Sequence, residues 1–450
     1  MAWPAFYERQ ELAKGSVMPV FLDTTESDFE IEFARLLSAK REDSPDVDDT
    51  VAAIIADVRA RGDAALIELT AKFDRLELAP GALAFTPEEI DAHCAAVPDA
   101  ERAALEKAAE RIRAYHVRQM PENALWTDPD GATLGWRWTP VSAAGLYVPG
   151  GLASYPSSVL MNAIPAKVAG VERLCICVPT PDGVVNPLVL LAARIAGVDE
   201  IYRIGGAQAI AALAYGTESV APVDKITGPG NAFVAAAKRR VFGKVGIDMI
   251  AGPSEILVIA DSDNDPEFIA LDLMSQAEHD ESAQSILITD NAEFGQAVAA
   301  EVERQLEVLE RGAIAGASWR DFGAVIVARD LDEAAALSDR VAPEHLELCV
   351  ADPLALSEKI HHAGAIFLGQ WTPEAIGDYV GGPNHVLPTA RSARFSSGLS
   401  ALDFLKRTTL AQMSPQALRA IGPAAEVLAS SESLQAHGLS VTARLRKLNE

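Results

Sequence analysis

From about residue 140 onward the chain repeats one pattern: a short apolar run, a glycine-rich turn and then a helix-forming stretch. Examples are "GLYVPGGLASYPSSVLMNAIPAKVAG", "EIYRIGGAQAIAALAYGT" and "KITGPGNAFVAAAKRRVFG", and the pattern resumes with "SEILVIAD", "QSILITD", "GAVIVARD" and "GAIFLG". Strands that alternate with helices predict a parallel sheet with crossover helices. Two such α/β units follow one another, with a boundary near residues 248–255.

The pattern predicts an α/β fold with two Rossmann-like parallel-sheet domains and small helical extensions at both ends. Beyond about residue 386 the strand rhythm is lost, and a helical tail without its own core usually packs on its own body or on a second subunit. The predicted parts are an N-terminal arm (residues 1–40), a discontinuous first domain (residues 41–146 and 254–385), a second domain (residues 147–253) and a C-terminal tail (residues 386–450).

Several residues indicate where helices begin and end. A helix in the first domain is predicted to stop at Gly62, and Thr86 with Glu89 three residues later forms a capping box. A long helix is predicted over residues 99–120, because a proline follows it. Ser414 is predicted to cap a helix in the tail that has proline at its first position.

The charge balance narrows the range of partners. The 450-residue chain has a formal net charge of −26 with no offsetting basic block, which argues against binding to nucleic acid or to an anionic membrane. The N-terminal "MAWPAFYERQELAKG" carries charges where a signal peptide needs an apolar core. Four cysteines without a Cys-x-x-Cys pair fit a reducing compartment, so a cytoplasmic location is predicted.

Common cofactor and catalytic motifs are missing. "GPGNAF" begins like a dinucleotide-binding G-x-G-x-x-G loop, but Phe233 stands where the last glycine belongs. The P-loop, H-E-x-x-H and G-x-S-x-G patterns do not occur. Glycine turns at helix starts still suit a phosphate group, although many cofactors would satisfy that pattern.

The stretch "MSQAEHDE", residues 274–281, is either a solvated helix end or half of a metal site. Gln276 and His279 are three residues apart and therefore share a helix face. The chain has only eight histidines, and four of them lie in polar segments beside carboxylates or carboxamides. Imidazole, carboxamide and carboxylate groups together suit a catalytic zinc, and the candidate ligands are Gln276, His279, Asp378 and His437. The pattern alone leaves both interpretations open.

Six ordered motifs, from about residue 40 to the C-terminus, resemble the histidinol dehydrogenase family. They are "GPGNAFVAAAK", "DMIAGPSEILVIAD", "DLMSQAEHDESAQS", "APEHLEL", "GDYVGGPNHVLPT" and "ARFSSGLSALDFLKR". The resemblance implies oxidation of L-histidinol to L-histidine by two NAD through an aldehyde held in the site, which is the last step of histidine biosynthesis. It also implies one zinc per subunit and a homodimer whose C-terminal tail reaches the partner's site.

The resemblance further implies a role for each residue that matches a family motif. Glu344 and His345 would be the catalytic pair, and the zinc ligands would be the four candidates above. NAD contacts would include Tyr147, Gln208 and Asn231. Substrate contacts would include Ser254, His385 and Glu432 beside the zinc ligands and the catalytic pair. After His437 this chain has "HGLSV" where the family has "HARSV".

The residue types suggest how such a pair would work. His345 would accept the alcohol proton, because imidazole titrates near neutral pH, and Glu344 would activate water for the aldehyde step. Both would reach one cleft if Pro343 began a helix, and a plain capped helix start is the other interpretation of "PEHLE". The competing functions are a related zinc and NAD dehydrogenase of another small diol or amino alcohol, and a non-catalytic metal-binding protein.

Overall fold

A computed structural model describes residues 18–38, 45–149, 155–250 and 252–450. The strands are β1 Val20–Asp23, β2 Ala124–Thr127, β3 Ala132–Pro140, β4 Ala143–Tyr147, β5 Arg173–Cys177, β6 Glu200–Tyr202, β7 Lys225–Thr227, β8 Gly246–Ile247, β9 Glu255–Ala260, β10 Gln284–Thr289, β11 Ala324–Val327, β12 His345–Cys349, β13 Ala365–Leu368 and β14 Leu405–Met413. The helices are α1 Phe29–Ser38, α2 Pro45–Arg61, α3 Asp63–Asp74, α4 Pro87–Ala95, α5 Asp99–Val117, α6 Pro156–Ala169, α7 Pro187–Ala196, α8 Gly206–Tyr215, α9 Ala232–Val241, α10 Pro266–Ala277, α11 Ala292–Leu306, α12 Gly312–Phe322, α13 Leu331–Val341, α14 Pro353–Ser357, α15 Glu374–Tyr379, α16 Pro415–Ser431 and α17 Gln435–Asn449. In these ranges no helix combines the length and the apolar character that crossing a membrane requires.

A six-stranded parallel sheet, in the order β1-β11-β10-β9-β12-β13, forms one half of the molecule. The central strand β9 is buried along its whole length. Ile256 and Val258 pack in one core, whereas Leu257 and Ile259 pack in the core on the other side of the sheet. Successive side chains of a strand point to opposite faces, so a strand covered by helices on both faces needs a continuous apolar run.

A five-stranded parallel sheet, in the order β6-β5-β4-β7-β8, forms the other half. Cys175 and Cys177 are buried on one face of β5, and both thiols are free. The predicted capping box is present, because Thr86 accepts the backbone N–H of Glu89 and the Glu89 side chain accepts that of Thr86. Gly62 follows α2 with a φ of 56°, as predicted for a helix stop.

The domain boundaries differ from the predicted ones. β1 pairs in parallel with β11, so residues 18–38 complete the six-stranded sheet instead of forming an arm. β4 is the central strand of the five-stranded sheet, and α2 and α5 pack on the helices of that sheet. The helices within residues 45–117 and strand β4 therefore belong with residues 155–250, and their predicted place beside residues 254–385 is wrong. An Ala-rich amphipathic helix shows which face is apolar but not which sheet it covers. The rest of the predicted arm, residues 1–17, lies outside the described residues.

The C-terminal region contains a strand that the sequence pattern did not predict. β14 pairs antiparallel with β3, and β2 pairs with the other side of β3. Most of β14 is exposed, so it lacks the apolar alternation that reveals a strand. Two helices follow, and α16 and α17 pack against each other as a hairpin. Ser414 caps α16 by accepting the N–H of Ala417, as predicted.

Candidate active site

A cleft of about 500 Å³ lies between the two parallel sheets, where an edge of the six-stranded sheet faces an edge of the five-stranded sheet. Ser254 and Glu344 line it, and they stand just before β9 and β12 at the amino-terminal edge of the six-stranded sheet. Pro149 and Gly228 also line it, just after β4 and β7 at the carboxyl-terminal edge of the five-stranded sheet. All strands of a parallel sheet end at the same edge, so the loops of each sheet converge on the cleft.

Glu344 and His345 both reach this cleft, but not from a helix. α13 ends before Ala342, whose φ is 50°, and β12 begins at His345. The predicted helix start at Pro343 is therefore wrong. The backbone of Glu255 on the neighbouring strand β9 holds both side chains. Its N–H donates to Glu344 Oε2 at 2.9 Å, and its carbonyl accepts from His345 Nδ1 at 3.0 Å.

The contact with Glu255 fixes the tautomer of His345. A carbonyl only accepts, so Nδ1 carries the proton and the lone pair lies on Nε2. Nε2 is buried, has no hydrogen-bond partner among the described residues, and lies 3.8 Å from Asp378 Oδ1. Burial lowers the pKa of His345 more than the Asp378 carboxylate raises it. The ring is therefore neutral near pH 7 and presents a free proton acceptor to the cleft.

Three of the four predicted zinc ligands line the cleft: Gln276, His279 and Asp378. Gln276 stands in the last turn of α10, His279 just beyond that helix, and Asp378 in the last turn of α15. Gln276 is fully buried, and its Nε2 lies 2.8 Å from His279 Nδ1. Its Oε1 has no partner anywhere in the described ranges. Such a buried acceptor costs roughly 1–3 kcal/mol unless a ligand satisfies it, so the carboxamide oxygen fits a metal.

The remaining predicted ligand, His437, does not line the cleft of its own chain, and neither does the predicted substrate contact Glu432. Glu432 caps the C-terminal end of α16, His437 lies in the first turn of α17, and both are exposed. One chain therefore brings together three predicted ligands and leaves two predicted site residues on its C-terminal hairpin.

The predicted substrate contacts Ser254 and His385 do line the cleft. His385 Nδ1 donates to the carbonyl of Asp378 at 3.1 Å, and its Nε2 lies 3.3 Å from Ser158 Oγ. Burial lowers the pKa of His385, so this ring is also neutral. His385 thus joins the loop after α15 to helix α6 of the other half of the molecule.

The three predicted NAD contacts lie at the carboxyl-terminal edge of the five-stranded sheet. Asn231 lines the cleft and caps α9 by accepting the N–H of Phe233 at 3.1 Å. Tyr147 ends β4, and its hydroxyl accepts the N–H of Gly206 at 3.1 Å. Gln208 follows in the first turn of α8. Tyr147 and Gln208 are buried, and burial raises the pKa of Tyr147 to about 12, so the phenol keeps its proton.

A carboxylate that the sequence reading missed lies beside His345. Glu374 is 2% exposed, and its Oε1 lies 3.3 Å from His345 Nδ1. Neither of its carboxylate oxygens has a hydrogen-bond partner in the described part of the chain, and burial raises its pKa well above the usual range. Ligand atoms of His345, Glu374 and Asp378 lie within 4.8 Å of one another, so they form a second possible metal site. In the sequence, Pro373-Glu374 is typical of an ordinary helix start.

Comparisons with known proteins agree with the motifs. The family model described as "Histidinol dehydrogenase" matches residues 37–445. The histidinol dehydrogenase of Cereibacter sphaeroides is 78% identical over 433 residues, which are 96% of this chain and 100% of that protein. The Ruegeria pomeroyi enzyme of the same name is 78% identical over 432 residues, with the same coverage. The crystal structure of histidinol dehydrogenase from Elizabethkingia anophelis matches with a TM-score of 0.92 and 37% identity, over 96% of this chain and 99% of that one.

The predicted α/β class with two Rossmann-like parallel-sheet domains is confirmed by the two sheets and by this structural match. The matching family model and the curated relatives each extend over most of the chain. The chain therefore belongs to the histidinol dehydrogenase family.

Proposed function

We propose that this protein oxidises L-histidinol to L-histidine through L-histidinal, and that two NAD accept the two hydrides. One observation carries the proposal: the backbone of Glu255 holds His345 and Glu344 side by side in the cleft that Gln276, His279 and Asp378 also line. A proton acceptor, a second base and a nitrogen and oxygen ligand set are the groups that such an oxidation needs.

In the alcohol step, His345 Nε2 accepts the hydroxyl proton while a hydride leaves the carbon for NAD. A zinc ion held by Gln276, His279 and Asp378 would supply a Lewis acid that lowers the pKa of the substrate hydroxyl. We prefer this ligand set to the one with Glu374 because it satisfies the orphaned oxygen of Gln276 and leaves His345 Nε2 free for the proton. His345 stays correctly oriented because Nδ1 is bound to the Glu255 carbonyl.

In the aldehyde step, Glu344 removes a proton from water as the water oxygen bonds to the aldehyde carbon. This addition gives the hydrate anion, which would then lose a second hydride to a second NAD and its remaining hydroxyl proton to a base, leaving the carboxylate of histidine. The Glu255 N–H orients the Glu344 carboxylate, and Glu344 Oε2 lies 3.9 Å from His345 Nδ1. Two adjacent bases thus accept protons in two successive oxidations of the same carbon.

We propose that the working form is a homodimer in which the tail of each chain completes the partner's site with Glu432 and His437. Both residues are exposed and lie outside their own cleft. The hairpin that carries them also exposes large apolar side chains, namely Val427, Leu428, Leu434 and Leu439. Apolar residues gathered on one small unit mark an interaction surface, and an exchanged tail covers them.

Purified protein is expected to form two NADH for each L-histidinol consumed, because both oxidation steps occur in one site. Removing the metal with a chelator is expected to abolish turnover, and added zinc should restore it. The measurement is NADH absorbance at limiting histidinol, with and without chelator. An intact, metal-loaded protein that produces no NADH from histidinol would favour the related dehydrogenase or the non-catalytic metal-binding protein. Full activity after metal removal would refute the role of the metal.

Gln276→Glu is expected to bind zinc at least as tightly as the parent protein but to turn over roughly tenfold more slowly. The neutral carboxamide leaves the metal more Lewis acidity than a carboxylate would, because it adds no negative charge. Zinc content and kcat with saturating histidinol measure the two effects. Gln412→Glu makes the same change at an exposed position on β14 and should leave both values unchanged. Equal or faster turnover by Gln276→Glu would remove this explanation for the glutamine.

A further inference from the structure

Lys238 and Asp248 form a buried ion pair that the proposed chemistry does not use. Their side chains are 2% and 1% exposed, and both residues line the cleft. Lys238 lies on α9, and Asp248 directly follows β8. Removing two charges from water costs several kcal/mol per ion, and a buried pair is often no better for stability than two apolar side chains. The presence of the pair at this place therefore requires a reason other than stability alone.

Both charges hold the same residue of the loop between β7 and α9. Lys238 Nζ donates to the carbonyl of Gly228 at 2.9 Å, and Asp248 Oδ2 accepts the N–H of Gly228 at 2.8 Å. The two backbone polar groups of Gly228 are thus satisfied by opposite charges, which also bind each other. Hydrogen bonds to ionised groups are roughly twice as strong as neutral ones, so this loop is held more firmly than an ordinary turn.

The backbone of Tyr147 packs directly against Gly228. Gly228 has a φ of 114°, and a Cβ built there would lie 2.1 Å from the Tyr147 carbonyl oxygen. The glycine is therefore required for both its backbone conformation and its close approach to β4. Three residues later the same loop reaches Asn231, which lines the cleft. The ion pair thus helps to position Asn231 relative to Tyr147, and NAD contacts are proposed for both residues.

We propose that the Lys238–Asp248 pair is a clamp that holds the Gly228–Asn231 loop against Tyr147 in the conformation that binds the nicotinamide dinucleotide. Lys238 and Asp248 are then positioning residues for the cofactor, and this role rests on the proposed function. They act through the loop rather than by direct contact, because two of the three ammonium donors of Lys238 already have partners and its side chain is almost fully buried.

Lys238→Met keeps the unbranched apolar stem of the side chain and removes the ammonium group with its charge. It is expected to raise the KM for NAD at least tenfold and to leave the KM for histidinol and the zinc content within about twofold. The double variant Lys238→Met with Asp248→Asn removes both charges, keeps an acceptor for the Gly228 N–H and avoids an unpaired buried carboxylate. It should also raise the KM for NAD. If the single variant does not fold, the double variant tests the proposal in its place. Lys244→Met, at an exposed position just beyond α9, is the matched control and should behave as the parent protein.

Fluorescence titration with NADH measures the loss of cofactor binding without turnover. A weaker dinucleotide Kd with an unchanged histidinol KM supports the clamp. A lower melting temperature together with an unchanged KM and Kd for the dinucleotide would show that the pair serves only stability, and would overturn the proposal. The parent protein distinguishes this result from a failure of the proposed function. If the parent protein reduces no NAD with histidinol, the proposed function itself is wrong, whatever the variants do.

Discussion

His345→Asn is expected to lower kcat for histidinol oxidation by about 10²–10⁴-fold, which is the usual contribution of a positioned general base. Asparagine can still donate to the Glu255 carbonyl from a position near Nδ1, so the local fold should persist. It has no basic nitrogen where Nε2 lies, and that buried atom of a cleft-lining residue has no hydrogen-bond partner in the part of the chain that the structure describes. Steady-state NADH formation gives kcat, and metal analysis shows whether zinc stays bound.

The control is His361→Asn, which makes the same change at an exposed position and should leave kcat unchanged. Feeding L-histidinal isolates the second step, for which Glu344 is the proposed base, so His345→Asn should lose less activity with the aldehyde than with the alcohol. If zinc stays bound and histidinol oxidation is undiminished, the general-base assignment is wrong.

The sheet architecture was predictable from the sequence because its signal is local. Each strand of a parallel sheet covered on both faces reads as a continuous apolar run, and each glycine turn opens the next helix. The assignment of helices to sheets was not predictable in the same way. α2 and α5 show an apolar face in their own sequence, but the partner of that face depends on contacts that are distant along the chain.

In the candidate site, too, local sequence signals were predictive, whereas contacts between residues distant along the chain were not. Gln276 and His279 could be paired from their spacing, because three residues on a helix return to the same face. Glu344 and His345 could be selected but not oriented, since the Glu255 backbone that holds them belongs to another strand and has no sequence signature. Glu374 was missed because an acidic residue after proline is common in a first helical turn.

The position of His437 was also beyond the reach of local patterns. A helix sequence predicts α17, but it does not show whether the histidine on that helix serves its own chain or another one. In the structure His437 and Glu432 are exposed on the hairpin, away from the cleft that holds Gln276, His279 and Asp378. If His437 is a ligand, it has to reach a cleft, and an exchanged tail offers it the partner's cleft.

Co-expressing His345→Asn chains with His437→Ala chains is expected to restore activity that neither variant has alone. In a mixed dimer with exchanged tails, the body of the His437→Ala chain receives an intact tail from its partner. Random pairing makes about half of the dimers mixed, each with one intact site of two, so about a quarter of the parent activity should return. NADH formation per chain is measured on the unsorted mixture and on the mixed dimer purified with two affinity tags, which should have about half of the parent activity because one of its two sites is intact. If each tail served its own chain, no mixed dimer would hold an intact site and activity would stay at the level of the single variants. Full activity of His437→Ala alone would instead remove His437 from the site, because the cleft would then work without the fourth ligand.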